Sequence, residues 1–117
     1  MYNPTILDHF ENPRNVGEMP DATAVAEVTN PACGDILKLW VRVENGKVAD
    51  VKFKVSGCVP SVACGSVLTE MMKGKSIAEV EEISAAKIER AVEGVPSGSQ
   101  HAGVLAADAL KAVLAKL

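Results

Sequence analysis

The sequence predicts an α+β domain, a three-stranded antiparallel meander covered by helices that mostly follow it. Three observations predict this. Apolar and polar residues alternate over 37–43 and again over 49–55, the period of strands with one buried face. Between them "ENGK" (44–47) supplies Asn-Gly, the favoured type I′ hairpin pair, because both central residues need positive φ. After Gly57 every apolar pattern is helical, and strands first with helices later indicate a small sheet covered by helices. The 117 residues, 48% of them hydrophobic, suffice for one compact domain over 1–117 and leave no room for a second.

Asn3 followed by Pro4 reads as an N-cap with proline in the first turn, and Ile6, Leu7 and Phe10 share one face of the short helix that Pro13 ends. Residues 13–24 read as a loop, and "AVAEV" (24–28) as the first strand. The second strand turns Leu37, Leu39, Val41 and Val43 inward, with Lys38, Trp40 and Arg42 outward. In the third, Ala49, Val51, Phe53 and Val55 face the core, opposite Asp50, Lys52 and Lys54. A long helix runs from Pro60 to about Lys73, with Gly74 just past its end. "SIAE" (76–79) is a capping box opening a short helix, and a further helical stretch spans 85–92. "GVPSGSQ" (94–100) is a loop. The last helix starts at His101, with Val104, Leu105, Leu110, Val113 and Leu114 in its apolar stripe.

Twelve basic and 15 acidic residues give a net charge of -3 with no basic block, which argues against a nucleic-acid partner. The apolar runs fall far short of the roughly 20 residues that span a bilayer, so no membrane insertion is expected. Asp8 and Glu11 interrupt the region where a secretory signal would be apolar. Cys33, Cys58 and Cys64 are an odd count, which a disulfide framework would not normally leave. Free thiols in a cytoplasmic protein fit better.

An up-down-up meander returns its third strand to where the second began. The corner "PACGD" (31–35) and the corner "SGCVP" (56–60) therefore lie at one end of the sheet, and Cys33, Asp35 and Cys58 can converge there. His101 could join from the loop before the last helix. Thiolate, carboxylate and imidazole are ligand types for zinc or for the iron of an iron-sulfur cluster. Cys58 also precedes a helix N-terminus, whose positive end favours thiolate. No CxxC pair is present, so spacing alone leaves metal or sulfur chemistry open against buried structural thiols. Cys64 falls in step with Val67, Leu68 and Met71 on a core stripe. His101 could equally begin a helix in solvent, and His9, beside Asp8, reads as a surface residue. The Met71-Met72 pair and the alanine-rich last helix read as packing surface.

Taken together, these motifs resemble the IscU/NifU-type iron-sulfur cluster assembly scaffolds along nearly the whole chain. "LDHFENPRNVG" (7–17) is similar to the family's N-terminal signature, "PACGD" to its first cysteine motif and "GC" (57–58) to its second. "VLTEMMKGKS" (67–76) and "HAGVLAADALKA" (101–112) resemble its later helices. The resemblance implies a scaffold or carrier rather than an enzyme. Sulfur would arrive from a cysteine desulfurase as persulfide, iron would join it, and a transient [2Fe-2S] cluster would pass to recipient apoproteins. By matching position, Cys33, Asp35, Cys58 and His101 inherit ligand or near-ligand roles, with zinc as an ion the isolated protein could carry.

Two departures modify those expectations. Family scaffolds usually follow the histidine with a third cysteine, and here Ala102 stands there. The segment before the histidine, "VPSGSQ", keeps Pro96 but not the second proline and lysine, so the resemblance does not extend to recognition by a dedicated DnaK-like chaperone. Cys64 stands where many relatives have serine, and it either replaces the missing thiol or belongs to the core. Few thiolates make a homodimer sharing one cluster an arrangement to consider. The competing readings are a zinc- or iron-holding sulfur-transfer partner of a desulfurase, and a degenerate paralogue acting as an interaction module. The ligand set predicts that binding weakens below about pH 6, where imidazole and then thiolates hold protons.

Overall fold

The computed structural model describes residues 2–117, in the order α1 (Pro4–Glu11), β1 (Ala24–Thr29), β2 (Ile36–Glu44), β3 (Lys47–Ser56), α2 (Val59–Met72), α3 (Ile77–Glu81), α4 (Ala85–Ala91) and α5 (His101–Leu114). The sheet is an antiparallel meander in the order β1-β2-β3, as the alternation and the Asn-Gly turn predict. Asn45 and Gly46 both take positive φ, at 54° and 74°. α5 packs on β1 and β2 and α2 on β3, with α1 and α4 outside them. The core lies between sheet and helices and includes Leu37, Leu39, Val51, Phe53, Leu68, Met72, Leu105 and Leu110. Among the described residues no helix is long and apolar enough to cross a membrane.

Helix starts follow their caps. Asn3 Oδ1 accepts the Ile6 N–H at 2.9 Å, and the Ser76–Glu79 capping box closes with both of its bonds. Ser84 caps α4 through the Lys87 N–H. The Asn3 amide also donates to the carbonyls of Val92, Glu93 and Gly94, tying the start of α1 to the end of α4.

Several inward and outward assignments change. Arg42 pairs with Asp50 but Val43 with Val48, so a bulge leaves Ala49 unpaired and moves the buried position to Val48. Trp40, expected outward, is 6% exposed, flanked by Val25 and Lys52 on the neighbouring strands, with the Lys38 ammonium 5.0 Å from its ring centre. Val104 is exposed because α5 buries a stripe rich in small residues, including Ala102, Ala106 and Ala109, that brings it close to the sheet. Leu7 and Phe10 are exposed, and Ile6 and His9 are the buried pair of α1.

His9 is therefore an anchor and not the surface residue expected. It is 7% exposed, its Nδ1 lies 2.8 Å from Ser66 Oγ, and its Nε2 lies 3.6 Å from Glu70 Oε1, both on α2. The Arg14 N–H also donates to Ser66 Oγ. Burial, and then the Arg14 charge, hold the imidazole below its ordinary pKa against the pull of Glu70 and Asp8. The folded chain thus binds this proton less readily than the unfolded chain, whose imidazoles titrate near 6.5. Its stability contribution is intact above that pH and lost as pH falls through it. Urea midpoints should drop between pH 7 and pH 5, and His9→Gln should flatten that drop. An unchanged slope in the variant would contradict the assignment.

Candidate metal centre

Three corners of the fold meet at the open end of the sheet. Ile36, the first residue of β2, pairs with Ser56, the last of β3, so the turn before β2 lies beside the chain leaving β3. That turn closes on itself: Asn30 N–H donates to the Asp35 carbonyl, Gly34 N–H to the Asn30 carbonyl, and Asn30 Oδ1 accepts the Ala32 N–H. Gly34 sits at φ 77°, a left-handed conformation for which glycine is suited. This geometry leaves Cys33 exposed at the tip and turns Asp35 inward, 8% exposed.

Asp35 is held from the opposite corner. Its Oδ2 accepts the Cys58 N–H at 3.2 Å and the Ser61 hydroxyl at 2.7 Å. The approach needs Gly57, because a Cβ there would stand 2.5 Å from Asp35 Cγ. Burial pushes the Asp35 carboxyl up, and hydrogen bonds from Ser61, Cys58 and Cys33 outweigh it and keep the group below its usual range. The carboxylate is thus ionised and anchored.

Cys58 occupies the N-cap of α2, with Sγ 3.3 Å from Ser61 Oγ and 3.6 Å from His101 Nε2. His101 opens α5, and its Nε2 also lies 3.9 Å from Asp35 Oδ2. Burial and the neighbouring carboxylate raise the Cys58 thiol, while Ser61 opposes them. Burial and Asp35 thus prevail over the helix N-terminus, which alone would favour thiolate. Ligand-bearing atoms of Cys33, Asp35 and His101 all lie within 4.8 Å of one another, close enough for a small adjustment to bring them onto one ion. The fold therefore brings Cys33, Asp35, Cys58 and His101 together.

Cys64 is not brought to them. It is fully buried in the α2 face that meets the core, and burial pushes its thiol up to about 12. Of the two places the sequence left for it, the core is where the structure has it, in one cluster with Val67 and Leu68. Ala102, at the position of that thiol, is also fully buried. Alkylation at pH 8 should label Cys33 first and Cys58 more slowly. Cys64 should react only on unfolding, its thiolate fraction lying about a thousandfold below that of an ordinary thiol. Peptide mass spectrometry of a timed series reads the order, and early labelling of Cys64 would contradict it.

Sequence reasoning overlooked Ser61 and the close approach at Gly57. A signal for Ser61 was present, since it stands three residues past the N-cap, on the same face of the first turn as Cys58.

A family model described as NifU-like N terminal domain matches residues 1–117. The chain belongs to this family. Relatives bear it out over most of their lengths. A protein of Archaeoglobus fulgidus named as an iron-sulfur cluster assembly scaffold is 42% identical over 111 residues, 95% of this chain and 72% of that protein. A scaffold protein of Haemophilus influenzae is 40% identical over 97% of this chain and 93% of its own. One from Drosophila melanogaster, named an assembly enzyme, is 43% identical over 98% and 77%. Among solved structures, a NifU-like N-terminal domain from Brucella abortus matches with a TM-score of 0.82 at 20% identity, over 97% of this chain and 92% of that one. That likeness establishes the fold of the family in this chain.

Proposed function

We propose that this member of the NifU-like family is a scaffold on which iron-sulfur clusters are assembled and from which they are released to recipient proteins. The observation that supports it is the convergence of two thiols, one carboxylate and one imidazole at a single open corner of this fold. Cluster and iron are cargo in this reading. Cys33, as the exposed thiol, is the one a sulfur donor reaches. Its thiolate attacks the terminal sulfur of a cysteine desulfurase persulfide, a new S–S bond forms at Cys33, and the desulfurase cysteine leaves as thiolate. Cys58 and His101 offer softer donors for iron, and Asp35 a hard oxygen. A mixed set with two thiolates, where such clusters ordinarily take four, holds its cargo less firmly and favours release. Two copies sharing one [2Fe-2S] cluster would supply four thiolates.

Anaerobic reconstitution with a cysteine desulfurase, L-cysteine and ferrous iron tests this, followed by visible absorption and by iron and sulfide counts. Wild type and Cys64→Ser should develop a [2Fe-2S] spectrum, and Cys33→Ser and Cys58→Ser should lose it. Tightly held zinc with no capacity to assemble a cluster would sink the proposal and favour a sulfur-transfer partner.

A further inference from the structure

The start of α2 lacks what the other capped helices have. Asn3, Ser76 and Ser84 cap their own helices, whereas Cys58 at the N-cap of α2 makes no side-chain capping bond. Asp35 takes over from across the sheet by accepting the Cys58 N–H, and Ser61 joins the two. Ser61 is fully buried, and its hydroxyl carries one proton. That proton goes to Asp35 Oδ2, which leaves the oxygen lone pairs facing the Cys58 sulfur 3.3 Å away. A serine inside a helix commonly bonds back to its own backbone. This one spends its hydroxyl on two members of the metal centre.

We propose that Ser61 is a positioning residue of the metal centre, fixing the Asp35 carboxylate and the Cys58 sulfur in one arrangement before an ion arrives. The inference rests on the reading of the site as metal-binding. Both bonds to the carboxylate fall on Oδ2, the oxygen that also lies 3.9 Å from His101 Nε2, so the anchor holds the carboxylate beside the imidazole. The same hydroxyl limits how far the Cys58 sulfur can rotate away from His101. Ser61 touches no ion in this arrangement and acts through the two residues that do.

The test is anaerobic titration with cobalt(II), read through its ligand-field and thiolate charge-transfer bands, with thermal melts to report the fold. Ser61→Ala should weaken cobalt binding by about 10- to 100-fold and shift the bands, as removal of a partner behind a metal ligand does. Ser61→Thr, which keeps the hydroxyl, should restore the wild-type spectrum. In an Asp35→Ala background, Ser61→Ala should add only the smaller part that acts through Cys58, because the carboxylate it anchors is gone. Unchanged affinity and spectrum in Ser61→Ala overturn the inference. The same full loss in the Asp35→Ala background overturns it too, as does an alanine variant that no longer folds, since the hydroxyl would then serve the fold itself. Wild type that binds no cobalt overturns the metal-binding reading instead, and the inference falls with it.

Discussion

Gly57→Ala is expected to dismantle the candidate metal centre while leaving the sheet and helices folded. Gly57 is not among the glycines at positive φ, so its backbone tolerates a side chain, and the obstacle is contact. The new Cβ would fall 2.5, 2.7 and 2.9 Å from Asp35 Cγ, Oδ2 and Cβ, all inside van der Waals distance. Asp35 has no room to yield, because its anchors, the Cys58 N–H and the Ser61 hydroxyl, lie on that same corner. Its carboxylate must leave, stranding a buried hydroxyl at a cost of about 1–3 kcal/mol. Cobalt affinity should fall by about 100-fold, as when a partner of the ligands is lost, and urea unfolding should report the modest loss of stability. An alanine variant that binds cobalt like wild type would show that Asp35 does not need this approach.

Phe53→Ala should produce the largest loss of stability of any single core change, about 3–5 kcal/mol against the 5–15 kcal/mol typical of a small domain. Phe53 is among the largest fully buried side chains, and its ring lies flush on α2 where Gly65 leaves the space: a Cβ at Gly65 would meet ring carbons at 2.7 and 2.8 Å. Its backbone also holds the segment before β1, donating to the Asn15 carbonyl and accepting the Gly17 N–H. Truncation leaves a cavity between two rigid elements that have little freedom to close it. Gly65→Ala tests the same contact in reverse. Overpacking of about 1–3 kcal/mol outweighs the gain of up to about 1 kcal/mol in helix propensity, so it should also destabilise, by less. Urea midpoints with unchanged slopes measure both. A stable Phe53→Ala would mean that α2 settles onto β3 without the ring.

The fold was legible because its signals are local. Asn45-Gly46, the alternation in β2 and β3, and the caps at Asn3 and Ser76 each act within a few residues, and the structure realises them except where the bulge displaces Ala49 and where Trp40 is covered. What depends on distant partners was not. His9 looks polar on its own helix, and only Ser66 and Glu70, brought by α2, make it an anchor. Trp40 alternates outward, and the neighbours that flank it there, Val25 and Lys52 across the strands and the Lys38 ammonium over its ring, come from outward positions too. In the candidate metal centre, meander topology placed Cys33, Asp35 and Cys58 at one end of the sheet, because strand direction is enough to do so. His101 needed the path of α5 and was placed only as an option. Cys64 carried two readings because its helical period matched the core, while its nearness to Cys58 in sequence suggested the site. Rotation along α2 decided for the core.

The residues of the candidate metal centre come from the turn before β2, the start of α2 and the start of α5, stretches that meet only when the whole chain has closed around its core. An unfolded copy has no such site, so any cargo bound there adds its binding free energy to the folding equilibrium, about 2.7 kcal/mol at a free concentration a hundred times its dissociation constant. Loaded and empty copies of one sequence would then differ in lifetime before a protease. Delivery of the cluster would return the chain to the more perishable pool, and the amount of protein present would track how much cargo is waiting.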